Sequence, residues 1–437
     1  MGRVTTRSRR LVSGPALILL GLGLAAPARA LDLSAPLMPL GVASGCVRDA
    51  ASAGGSCAGT AAGLLGASAL AVPGATGRRL AVASPDEDAV ALLRRFPSGA
   101  IVGGRCLQPP GERPCGEHAV GLRGADALSA TPDGALNVGA RDDRAVIELR
   151  GTHQTGCVSA MPLAGCASRD LALGGVAALA GDPSGHFVYA VSFGETSGSD
   201  SVAALRRSDG GLVAVKGRGG CIQSVGSATA RCAVRTAGLE GAVAAAASPD
   251  GHSLYVAARM GSAVVAFRRD RTTGALSPLG CVGDPRRSSG CAMKAEGLQG
   301  ADAVAVSPDG ATVYVAAADP GAVVALRRDR RSGALVGVIG CVSVLPQPGC
   351  GLAPALRGAR ALLVTPDGSE LDVAADAADT IVTLGLTRGA GSITGVRDTA
   401  AVTGAVNAPA ALVAAGPDVY AASPYDDGVV ALTRTSH

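Results

Sequence analysis

The chain repeats itself about every 58 residues, and a repeat of that length constrains the fold more than any other feature. Two adjacent units carry it best. One runs Ser248-Pro249-Asp250-Gly251, Leu254-Tyr255-Val256-Ala257-Ala258, Ala263-Val264-Val265-Ala266-Phe267-Arg268-Arg269-Asp270, Gly274-Ala275-Leu276 and Gly280-Cys281-Val282. The next runs Ser307-Pro308-Asp309-Gly310, Val313-Tyr314-Val315-Ala316-Ala317, Ala322-Val323-Val324-Ala325-Leu326-Arg327-Arg328-Asp329, Gly333-Ala334-Leu335 and Gly340-Cys341-Val342. The turn returns as Thr131-Pro132-Asp133-Gly134, Asp182-Pro183-Ser184-Gly185 and Thr365-Pro366-Asp367-Gly368, and in degenerate form at Pro73–Gly77 and Gly416–Asp418. Seven units result. Tyr189, Tyr255, Tyr314 and Tyr420 occupy one equivalent position, where Ala81, Asn137 and Asp372 stand in the other units.

Each unit holds four short β-rich runs separated by turn residues. In one unit they are Asp302–Ser307, Thr312–Ala317, Ala322–Arg327 and Ala334–Gly340. The Pro-Asp-Gly step presets a tight turn between the first two: proline fixes φ, aspartate bonds back to the backbone, and glycine accepts positive φ. The first run is dense in alanine and valine, so it is expected to bury both faces close to an axis where sheets converge. Seven four-stranded antiparallel sheets describe an all-β, seven-bladed β-propeller. A β-helix is the alternative, but its repeats are much shorter. The last blade is expected to be closed by an N-terminal strand at Pro36–Val42, because the chain stops after a third-type strand at Gly428–Thr433. A chain starting at Ser44 is expected to lose most of its stability.

Twelve cysteines fall as six local pairs: Cys46-Cys57, Cys106-Cys115, Cys157-Cys166, Cys221-Cys232, Cys281-Cys291 and Cys341-Cys350. In an exported chain this reads as six short-range disulfides. Zinc is the competing reading, but no Cys-x-x-Cys occurs. Residues 1–30 look like a signal peptide, leaving 31–437 as a single propeller. Arg3, Arg7, Arg9 and Arg10 precede an apolar stretch from Leu11 to Ala26, and Ala28-Arg29-Ala30 offers a small-x-small cleavage site. A membrane anchor is the alternative, though the run is short and broken by glycine. Ser8-Arg9-Arg10 matches the twin-arginine pattern only in part. Cleavage leaves 34 basic against 35 acidic residues, so no electrostatic footprint for nucleic acid remains. The protein is therefore expected in the periplasm or outside the cell, with no further membrane span, as a monomer.

The Ser-Pro-Asp-Gly, Val-Tyr-Val-Ala, Ala-Val-x-x-Phe/Leu-Arg-Arg-Asp and Thr/Ser-Gly-Ala-Leu series resembles the lactonase-like, or YVTN-repeat, seven-bladed propellers. The resemblance covers residues 35–437 and implies that fold. It extends to sugar-lactone hydrolases, muconate-type cyclases and exported members of unknown role. Its motifs are turns and strands, so no acid, base or arginine of those enzymes carries over.

Function has to be sought at the loops. The second-to-third-strand turns carry a recurring acid at Asp88, Asp143, Asp200, Asp379 and Asp427. Clustered carboxylates suit a hard ion such as Ca²⁺; turn capping by aspartate explains the same recurrence. We therefore predict no cofactor, with Asp88, Asp143, Asp379 and Asp427 as the Ca²⁺ candidates. A second ring, at the starts of the first strands, reads Ser68, Asp126, Ala177, Val243, Asp302, Arg360 and Pro409. Asp126, Asp302 and Arg360 make it asymmetric, so they are the ligand candidates, although Asp302 and Arg360 can equally pair with each other. The pairs Arg94-Arg95, Arg206-Arg207, Arg268-Arg269 and Arg327-Arg328 read as solvated strand ends, or as a basic band for an acidic partner.

Catalytic motifs are lacking. Lys216 and Lys294 are the only lysines, which excludes a Gly-Lys-Ser/Thr phosphate loop, and no His-Glu-x-x-His or Gly-x-Ser-x-Gly occurs. The absence of Trp argues against aromatic cages and base-stacking platforms. The expectation is a binding or scaffold module for an unknown small molecule or protein. A lactonase-type hydrolase, with its site at the top mouth of the central channel, is the alternative; whether the protein is an enzyme is open.

Overall fold

The computed structural model describes residues 36–41, 45–52, 57–166, 168–194, 200–208, 211–227, 231–287, 290–401 and 407–434. The expected signal peptide lies outside them. Seven separate antiparallel sheets follow one another along the chain. Their first strands are Ala69–Ala71, Ala125–Ala130, Val176–Gly181, Ala242–Ala247, Ala301–Val306, Ala359–Val364 and Ala411–Ala415. Each of these lies against the first strand of the next blade, and the seventh returns to the first. The protein is an all-β seven-bladed propeller. No described helix is long and apolar enough to cross a membrane.

The order within a blade follows the repeat. In blade 5, Ala301–Val306 pairs with Thr312–Ala317, that strand with Ala322–Arg328, and the third with Leu335–Ser343. The second and third strands are buried along almost their whole length. The first strand is not buried on both faces, contrary to expectation: Val304, Ala305 and Val306 are half-exposed. Small side chains bring the blades together at the axis, yet they do not fill it, so the inner strands line an open channel.

Two further departures concern blade edges. Six blades carry an extra outer strand of two or three residues, parallel to the fourth. All six disulfides form, each within its expected pair. The first cysteine of each lies in the fourth strand and the second lies just before the outer strand, as with Cys341 and Cys350 before Gly351–Leu352. Blade 6 has no cysteine pair, and among the described residues its last strand is the fourth, Ile393–Ala401. So short a parallel strand makes few hydrogen bonds, and the sulfur bridge holds it over an otherwise open edge.

The N-terminal closure exists but is longer than Pro36–Val42. Leu37–Pro39 pairs with Gly428–Arg434 at Arg434, Thr433 and Leu432. Cys46–Asp49 then resumes the same edge at Val430, Val429 and Gly428. Two short strands thus share the role given to one.

The arginine pairs are not simply solvated strand ends. Strand alternation turns Arg268 and Arg327 outward and buries Arg269 and Arg328. Arg269 donates from Nε to the Tyr189 hydroxyl of the preceding blade at 2.5 Å and pairs with Asp182 at 2.6 Å. Arg95 does the same with Tyr420 and Asp418. Where tyrosine is replaced, the acid moves: Arg434 pairs with Glu370 and Asp372, and Arg207 with Glu148 and Asp133. These arginines are staples between blades.

Candidate functional site

The inner strands enclose a cavity of about 530 Å³ on the axis. Ser68, Asp126, Ala177, Val243, Asp302 and Arg360 all line it, whereas at the seventh blade the lining residue is Ala410 and not Pro409. The residues following the second strands reach the same space: Arg141, Phe193, Arg259 and Pro424. Sequence reasoning missed Arg141 and Arg259. The signal was available, because both follow a recognisable second strand, but that position has no consensus residue across the blades.

Asp302 is almost fully buried, with 3% of its side chain exposed. It accepts a hydrogen bond from Arg259 Nε at 3.0 Å, and Arg360 Nε lies 3.4 Å from its other oxygen. Arg360 also reaches Asp376 at 3.1 Å. The two guanidiniums are 47% and 36% exposed, so Arg259, hydrogen-bonded to the sunken carboxylate, and Arg360, held between Asp302 and Asp376, still face the cavity. Asp302 and Arg360 are thus an ion pair, and Arg259 is its third member.

Asp126 forms a second cluster in the same cavity. The Ser68 hydroxyl donates to it at 2.8 Å and Arg141 is its ion-pair partner. Burial pushes the Asp126 carboxyl above the ordinary carboxylate range, against the pull of Arg141 and Ser68; Asp86 and Asp142 push it further in the same direction. The cavity therefore places two carboxylates among three guanidiniums. Guanidinium forks suit a carboxylate or a developing oxyanion, and a carboxylate displaced toward neutrality suits proton transfer.

The turn acids do something else. Asp88 accepts from the Gly124 amide at 2.6 Å, Asp427 from Gly66 at 2.8 Å and Asp379 from Ala408 at 2.9 Å. Each donor lies just before the first strand of the next blade, so the carboxylate ties neighbouring blades together. Asp88, Asp379 and Asp427 sit at left-handed φ values of 53°, 51° and 51°, a conformation aspartate tolerates better than most residues. In blade 2 that position belongs to Arg144, and Asp143, one residue earlier, accepts from the Arg123 amide at 3.0 Å. In blade 4, Ser262 replaces the acid and accepts from Gly300 at 3.2 Å. Among the described residues no three His, Cys, Asp or Glu side chains gather as a metal site.

No family model and no curated protein matches the chain. Solved structures do match. The periplasmic gluconolactonase of Pseudomonas aeruginosa superposes with a TM-score of 0.53 at 17% identity, over 77% of this chain and 86% of that one. The likeness is one of fold, a β-propeller. A provisionally assigned 6-phosphogluconolactonase from Bacteroides fragilis gives 0.54 at 16% identity, over 79% and 85%. A virginiamycin B lyase from Staphylococcus aureus gives 0.53 at 11% identity, over 85% and 95%. A hydrolase and a lyase on one scaffold mean that activity must be argued from the cavity.

Proposed function

We propose that the protein is a lactone hydrolase working in the axial cavity, outside the cytoplasm. The observation that carries this reading is the half-buried Asp126 carboxyl, held above the ordinary carboxylate range, in one cavity with Arg141, Arg259 and Arg360. In its ionised form Asp126 takes a proton from water as the water oxygen bonds to the lactone carbonyl carbon. Arg259, held by Asp302, and Arg360, held between Asp302 and Asp376, face the charge that develops on the carbonyl oxygen. The ring C–O bond then breaks, and the proton on Asp126 passes to the leaving alkoxide, giving a hydroxy acid. The names of the Pseudomonas and Bacteroides neighbours favour lactones as the substrate class. Six disulfides and the periplasmic neighbour favour export.

A binding module without turnover is the second reading. Its supporting observation is that Asp126 and Asp302 each already have a guanidinium partner, as a static recognition surface would. A panel of sugar and aryl lactones, tested on the wild type and on Arg259→Ala/Arg360→Ala, separates the two. Hydrolysis that weakens sharply in the double variant supports the enzyme. Absent hydrolysis, with lactone or hydroxy-acid binding lost in the double variant, supports the binding module.

A further inference from the structure

A second cleft, of about 410 Å³, lies between blades 1 and 2, where Arg79, Arg94, Arg105, Arg150 and His153 converge. Arg79 starts the second strand of blade 1 and Arg94 is next to last in the third, so strand direction puts them at the end of the blade opposite the mouth lined by Ser68 and Asp126. This cleft is separate from the axial cavity.

The arrangement carries a modest electrostatic cost, since its arginines are exposed. Arg79 and Arg94 are directly opposite one another across antiparallel strands, a placement that destabilises a sheet when the charges match. In blades 3, 4 and 5 the third-strand arginine at this position faces Phe187, Ser253 and Thr312 instead. Among the described residues neither Arg79 nor Arg94 has an acidic partner; Arg94 lies over the Phe96 ring, 5.5 Å from its centroid. Arg105 pairs with Glu117 at 3.3 Å, largely in solvent, and Arg150 with Asp133 at 2.5 Å. Asp133 is itself shared with Arg207. A bulge between Leu92 and Arg94, with Gly104 against the Leu92 carbonyl, leaves this wall of the cleft free of bulk.

We infer that this cleft binds a small oligoanion carrying two or more phosphate or carboxylate groups. Four guanidiniums from two blades exceed what one monovalent group can engage, and each presents a fork suited to such oxygens. The cleft has the size of a small-molecule site. Ligand binding would also offset the Arg79–Arg94 repulsion that the free protein carries.

The experiment is calorimetric titration of the mature protein with tripolyphosphate and, separately, with citrate at low salt, beside thermal melts. Saturable binding of either probe, weakened about tenfold or more in Arg79→Ala/Arg94→Ala, supports the inference. The unliganded double variant is expected to melt at or above the wild-type temperature, because the repulsion is gone. Neither probe binding, or binding undiminished in the double variant, overturns it. So does a double variant that melts well below the wild type, since the arginines would then be structural.

Discussion

Arg328 of blade 5 donates from Nε to the Tyr255 hydroxyl of blade 4 at 2.7 Å, and Tyr255 donates in turn to the Gly333 carbonyl at 2.7 Å. The guanidinium also reaches Asp250 at 2.8 Å and the Gly310 carbonyl at 2.9 Å. Arginine and tyrosine are both buried. Removing the guanidinium leaves the Tyr255 hydroxyl its bond to Gly333 and leaves Asp250 35% exposed, so Arg328→Ala is expected to cost about 1–3 kcal/mol, from the lost charge-assisted bonds. Tyr255→Phe is expected to cost about 1–2 kcal/mol. Chemical denaturation checks both. Although burial opposes it, Arg328 and the Ser248 hydroxyl hold the Asp250 carboxyl down to about 2. Its contribution is present above the unfolded value and lost as pH falls toward about 2.

The opposite sign holds at the joint between blades 7 and 1. Burial, and then the charge of Asp49, push Glu87 up to about 7. Glu87 is therefore protonated in the folded protein at a pH where the unfolded chain has released the proton. Stability should fall as pH rises from about 4.5 to about 7 and then level off. Glu87→Gln should flatten that slope, read from melting temperatures across the range.

The disulfides should be complete and additive in effect. A thiol count on denatured, unreduced protein is expected to find none of the twelve cysteines free. Each loop of roughly ten residues contributes about 2–3 kcal/mol in the chain-entropy model. Reduction should therefore lower the melting temperature strongly, and Cys341→Ser/Cys350→Ser alone should lower it modestly.

The closing strand can be tested by truncation. A chain beginning at Gly45 loses Leu37–Pro39, including the buried Leu37, but keeps Cys46–Asp49 on the same edge. The expected loss is about 2–4 kcal/mol, from one buried leucine and a few strand hydrogen bonds. Truncation beyond Asp49 should be far more damaging. Denaturation midpoints of the two chains distinguish a shared closure from one carried by the first strand.

The propeller was legible because its turn chemistry and its tyrosine recur once per blade, and repetition exposes architecture. The burial of Arg269 and Arg328 was legible in principle, since adjacent residues of a strand face opposite ways. Reading both members of each pair as solvated ignored that alternation. The outer parallel strands were not legible: two or three residues carry no periodicity, and only the disulfide beside them gives them a place. Asp126, Asp302 and Arg360 stood out because they break the repeat at a position where the other blades have small or apolar residues. Arg141 and Arg259 stayed hidden because their partners come from other strands: Arg141 pairs with Asp126 of the first strand of its own blade, and Arg259 with Asp302 of the next blade. The turn acids illustrate the converse: a residue that recurs at one structural position from blade to blade is what turn capping produces.

Catalysis by Asp126 is the claim on which the functional account rests. Initial rates of lactone ring opening should be measured for the wild type and Asp126→Asn, with folding of both verified by their melts. The account predicts saturable hydrolysis by the wild type and a fall of about a hundredfold or more in kcat for the variant, in the range of a lost general base. Equal rates in two folded proteins, or no hydrolysis by the wild type, would contradict it.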